Sequence, residues 1–122
     1  MSKRVSIAAL AALSALLLVP LAEAHPKLKS TVPGANTSTT PPQAIRLIFS
    51  EGLIPKLSGI ELKDQSGKAI ETGPAAADPK DTKQLVIPIK SPLAAGQYTV
   101  DWHAVSEDTH RVKGSFSFEV QP

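Results

Sequence analysis

Trp102-His-Ala-Val-Ser-Glu-Asp-Thr-His-Arg-Val-Lys-Gly-Ser-Phe-Ser-Phe-Glu-Val120 reads as two strand-like runs joined by a polar turn. On the first side, Tyr98, Val100, Trp102 and Ala104 alternate with polar neighbours; on the second, Phe116, Phe118 and Val120 do the same. A period of two is the mark of a half-buried strand, so both runs turn one face to a core. The join carries Asp108 and His110 two residues apart. In extended backbone that spacing puts both side chains on one face, with Cα atoms roughly 6–7 Å apart, close enough to lean toward one ion. Asp-x-His alone is a weak motif. A second histidine, His25, gives it weight.

Residues 1–24 read as an export signal. Lys3 and Arg4 form a charged start, an apolar run extends from Ile7 to Leu21, and Ala22-Glu-Ala24 is the small-x-small pattern of a signal-peptidase site. The run is short of the ~20 residues a membrane span needs, and Pro20 breaks its end. Cleavage after Ala24 would make His25 the first residue of the mature chain, a single domain over residues 25–122. Removing the signal takes Lys3, Arg4 and Glu23 with it, which lowers the net charge from +2 to +1. So balanced a chain lacks the clustered basic face of a nucleic-acid binder. It has no cysteine. An exported domain without disulfides is held by packing alone, and thiolate chemistry is excluded.

Outward from the central hairpin, short apolar runs alternate with turn residues. Expected strands cover His25 to Thr31, at an edge, and Ala44 to Ser50, with Ile45, Leu47 and Phe49 on one face. Gly59 to Lys63 follows, turning at Asp64-Gln-Ser-Gly67 into a short return from Lys68 to Thr72. Gln84 to Ile89 contains Pro88, which suggests an edge or a bulge. The last two are Gln97 to Val105 and Gly114 to Val120. Thr37 to Pro42 reads as a connector, Gly73 to Asp81 as a loop, and Gly52 to Ser58 as a loop or one helical turn. No segment has helical periodicity long enough for a helix. About seven short strands imply an all-β domain, an immunoglobulin-like or Greek-key β-sandwich or barrel.

His25 is chemically unusual as a chain terminus. It offers its α-amine and ring Nδ1 together, which close a chelate ring on a metal. Pro26 has no amide proton for copper to displace, so equatorial positions stay open for other side chains. Asp108 and His110 can fill them, giving an N₃O set that suits tetragonal Cu(II); the same donors could hold Zn(II) tetrahedrally. Soft donors for Cu(I) are missing, because Met1, the one methionine, leaves with the signal. Ser106 lies near His103 and His110, but no glycine elbow marks it as a nucleophile. Glu51 and Glu107 read as solvated carboxylates, and His103 as a half-exposed strand residue with only a minor claim to metal.

These residues together resemble the CopC copper-resistance proteins. The resemblance rests on His25-Pro-Lys-Leu after Ala-Glu-Ala, Ser30-Thr-Val-Pro33, Ile45-Arg-Leu-Ile-Phe-Ser-Glu51 and Gly96-Gln-Tyr-Thr-Val100. It rests most on Val105-Ser-Glu-Asp-Thr-His110 followed by Gly114-Ser-Phe-Ser-Phe118. It implies a small periplasmic Greek-key β domain, a monomer outside the membrane, that binds copper and works with a CopD-type inner-membrane protein in copper resistance or homeostasis. It also implies a Cu(II) site of His25, Asp108 and His110. Glu51, from the family's Phe-Ser-Glu element, would orient a ligating ring or the amine. The methionine-rich Cu(I) loop of some members has no counterpart in Gly52 to Ser58. Two rivals stand beside this reading: a histidine-brace copper oxygenase, which would need substrate-facing aromatics, and an adhesion-like module with incidental histidines.

Overall fold

The structure is a computed structural model, and it describes residues 26–122. The expected signal peptide, residues 1–24, and His25 lie outside the described residues. Among the described residues, eight strands form two four-stranded sheets. They are β1 (Leu28–Val32), β2 (Ser38–Thr39), β3 (Ala44–Phe49), β4 (Gly59–Asp64), β5 (Ala76–Asp78), β6 (Asp81–Pro88), β7 (Gly96–Val105) and β8 (Arg111–Val120). One sheet runs β1-β3-β6-β5 and the other β2-β8-β7-β4. The all-β sandwich expected from the alternation is what forms.

Between the sheets lie the residues whose period of two announced them. Ile45, Leu47 and Phe49 of β3 are fully enclosed, as are Leu85 and Ile87 of β6, Leu62 of β4, Val100 of β7, and Phe118 and Val120 of β8. Each buried side chain of this size favours the fold by about 1.5–3 kcal/mol relative to exposure. The 102–120 hairpin is the longest ladder, with pairs running from Gly96↔Val120 to Val105↔Arg111. Trp102 is only partly buried and meets Phe49 edge-on, ring centroids 5.3 Å apart. Its indole lies across Gly114 on the paired strand, where a Cβ would come within 2.5 Å of the ring. A side chain at position 114 would push the indole off its seat.

Five expectations are corrected. Lys68 to Thr72 does not return as a strand and makes only isolated bridges, Lys63↔Ala69 and Thr72↔Ile89. Two segments read as connectors contain strands: Ser38–Thr39 pairs in parallel with the end of β8, and Ala76–Asp78 closes the first sheet as an edge. Both are too short for periodicity to show. The strand with Pro88 is interior, not an edge. Proline is tolerated because it is the last residue of β6, past the rungs Leu85 and Val86 that face β5. Finally β8 begins at Arg111, not Gly114. The hairpin therefore turns tightly, from Ser106 to His110.

Candidate metal centre

The turn of that hairpin is fixed from two sides. Ser106 N–H donates to His110 O at 2.9 Å and Thr109 N–H to Ser106 O at 2.8 Å, closing the turn on itself. The segment after β3 then clamps it from outside. Glu107 N–H donates to Gly52 O at 2.9 Å, Ile54 N–H to Val105 O at 2.8 Å, and Val105 N–H to the Ser58 hydroxyl at 3.0 Å. The clamp is close at Gly52, where a Cβ would displace the ends of the Glu107 and Thr82 side chains. The expected single helical turn in this segment is a 3-10 turn, Pro55–Leu57.

Asp108 and His110 do come together, though not by the extended backbone expected. Thr109 between them has φ 70°, the left-handed region, where a β-branched residue is rare. His110 Nδ1 stands 3.1 Å from Asp108 Oδ1, with the two side chains 39% and 51% exposed. The same carboxylate oxygen accepts the Ser106 hydroxyl. That bond first, and then the His110 side chain, hold the Asp108 carboxyl down to about 2, well below the ordinary carboxylate range. A carboxylate so held is a permanent anion under any physiological condition. Its other oxygen and the far nitrogen of the imidazole are the donors that a cation could use.

Ser106 is the residue sequence reasoning missed. It is 1% exposed, its hydroxyl donates to Asp108, and it accepts the His110 N–H at 3.2 Å. One buried hydroxyl thus fixes both candidate ligands. The Ser-x-Asp-x-His spacing carried that information, but a serine beside a turn is too common to single out unaided.

Glu51 is also not the solvated carboxylate its surroundings in the sequence suggested. Its Oε2 is fully enclosed and has no hydrogen-bond partner. The backbone brackets it between two relevant segments. Ser50 N–H donates to Lys27 O at 2.8 Å and the Ser50 hydroxyl accepts Lys27 N–H at 2.8 Å, while Gly52 bonds to Glu107. A buried anion without a donor is costly unless a cation or an N–H group meets it. The ionised Asp108 carboxylate and the His110 imidazole beside it are a donor pair that fits a cation. His103 stays apart: it points outward from β7, exposed, over Gly59 of β4. Among the described residues no three His, Cys, Asp or Glu side chains form a group able to hold a metal by themselves.

A two-sheet sandwich with an Asp-x-His turn clamped at one end defines a small β domain that brings one carboxylate and one imidazole together. The chain belongs to the CopC domain family, whose model matches residues 28–121. It is 43% identical over 114 residues to Protein YobA of Escherichia coli K12, covering 93% of this chain and 92% of the relative. It is 41% identical to Copper resistance protein C of Pseudomonas syringae pv. tomato, covering 87% and 88%. The crystal structure of PcoC, a methionine-rich copper resistance protein from Escherichia coli, superposes with a TM-score of 0.74 at 42% identity, covering 80% of this chain and all of PcoC.

Proposed function

We propose that this protein is an exported, periplasmic copper carrier that binds one Cu(II) through the His25 amine and ring, Asp108 and His110. Its work would be sequestration and delivery to a CopD-type inner-membrane partner, in copper resistance or homeostasis, without a catalytic step. The observation that carries the reading is the Asp108–His110 pair, 3.1 Å apart on a turn whose carboxyl is held down to about 2. This pair supplies one oxygen and one nitrogen donor and falls short of a complete site. The missing nitrogens are those a mature terminus at His25 would bring. Lys27 is bonded to Ser50, next to Glu51. Glu51, with its enclosed Oε2, is suited to accept the N–H of the amine or of a ligating ring.

Oxidation state follows from donor softness. PcoC is described as methionine rich. This chain has one methionine, Met1, within the expected signal. Nitrogen and carboxylate donors favour the oxidised ion. The test is a competition titration of protein that begins at His25 against protein with one glycine before it. The added residue moves the amine away from the chelate, so the His25 form should bind Cu(II) more tightly by at least tenfold, a difference of about 1.4 kcal/mol. Equal affinities would remove the terminus from the site.

A further inference from the structure

Next to the metal turn, on the outer face of the β7–β8 hairpin, lies a groove that copper binding leaves unused. Outward positions near that end are His103 and Val105 on β7 and Arg111 and Lys113 on β8, with His103 facing Lys113 and Val105 facing Arg111. Val105 points outward yet is only 3% exposed, because the 54–58 segment folds over it through the bonds from Ile54 and to Ser58. That segment ends its 3-10 turn on Leu57, which is 48% exposed; only Val32 among the described large hydrophobics is comparably open. Between Leu57 and the two strands is a cleft of about 410 Å³, lined by Leu57, His103, Val105, Arg111 and Lys113.

Its charge is uncompensated. Among the described residues neither Arg111 nor Lys113 has an ion-pair partner. The carboxylates farther along the same face, Asp101 and Glu61, are both taken by Lys63, at 3.0 and 3.2 Å. Two free cations therefore rim an apolar cleft on a protein that is otherwise nearly neutral. Beneath the groove β7 is paired on both edges, to β8 and, as far as His103, to β4, so an occupant of this face is recognised by side chains. An anionic bilayer calls for clusters of four to eight basic residues on a broad surface, which this face does not have.

We infer that this groove is the docking surface for an acidic polypeptide segment that places one apolar side chain against Leu57 and its carboxylates on Arg111 and Lys113. Arg111 directly follows His110, so a segment seated there ends beside the candidate copper ligands. An acceptor could take the ion without its passing through solution. That last step rests on the copper reading; the docking itself does not.

The test is an amide NMR titration of copper-free protein beginning at His25 with a capped acidic peptide of about eight residues with one central leucine. Shifts should be saturable, confined to residue 57 and to 103–105 and 111–113, and weaker as salt rises from about 10 to about 150 mM. Reversing both cations (Arg111→Glu with Lys113→Glu) should weaken binding by at least about tenfold, and Leu57→Gln should weaken it with the charges intact. Shifts elsewhere, no shifts, or binding indifferent to these changes would overturn the proposal. So would phosphatidylglycerol vesicles capturing the protein while the peptide does not bind, since the surface would then serve a membrane. Copper titrations separate the two readings: the charge-reversed protein should keep its Cu(II) affinity, and Asp108→Ala should lose copper while keeping the peptide.

Discussion

Replacing Ser106 by alanine removes one oxygen from a residue that is 1% exposed and never meets the proposed ion, yet it should damage copper binding. The hydroxyl makes two bonds that matter, as donor to Asp108 Oδ1 and as acceptor of the His110 N–H at 3.2 Å. Loss of the second leaves a part-buried amide without its acceptor, which costs about 1–3 kcal/mol of stability. Loss of the first removes the largest cause of the depressed Asp108 pKa, so that carboxyl should rise from about 2 toward its ordinary value of about 3.9. Neither ligand is deleted, but both lose the group that fixes them. Groups of this kind cost about 10–100-fold in metal affinity, or about 1.4–2.7 kcal/mol. Three measurements on protein beginning at His25 check this: urea unfolding, the carboxyl titration of Asp108 by NMR, and a Cu(II) competition titration. In an Asp108→Ala background the Ser106 effect on copper should shrink, because the two act through one contact. If Ser106→Ala lowers stability but leaves the Asp108 titration and copper affinity unchanged, Ser106 is only a cap of the turn and the positioning argument is refuted.

Copper affinity should fall steeply on mild acidification. The amine and the two imidazoles must all be deprotonated to ligate, so the slope should approach three protons per copper. Asp108 is no part of that loss. Its folded pKa is depressed, so its contribution to stability is present above about pH 4 and disappears only as pH falls toward 2. A slope near one across pH 5–6.5 would contradict ligation by both nitrogens of His25. Adding a reductant to copper-loaded protein should release the metal to a modest Cu(I) chelator; retention would show that hard donors hold Cu(I) here. Glu51→Gln should weaken Cu(II) less than His110→Ala does, with the fold kept in both by circular dichroism; the reverse order would make Glu51 a ligand.

The sandwich was legible from periodicity because its long strands each turn one face to the core. Ile45, Leu47 and Phe49, or Phe116, Phe118 and Val120, announce that face at every second residue. Ser38–Thr39 and Ala76–Asp78 were illegible for the opposite reason: two or three residues at a sheet margin, too few to show a period, gain their pairing from the neighbouring strand. The candidate ligands Asp108 and His110 could be named from spacing and from a family resemblance. How they meet could not be. Extended backbone would have placed them on one face, whereas the turn brings them together through a left-handed Thr109, a buried Ser106 hydroxyl and a clamp from Gly52 to Ser58, more than forty residues upstream. Glu51 shows the same division. Its sequence neighbours suggest a solvated acid, whereas the fold encloses its Oε2 while tying Ser50 to Lys27 and Gly52 to Glu107 on either side. Sequence determines the donor atoms and the alternation that builds the core, because both are properties of local order. Burial and the orientation of donors belong to the tertiary structure, because they arise where segments distant in the chain exclude water from one another.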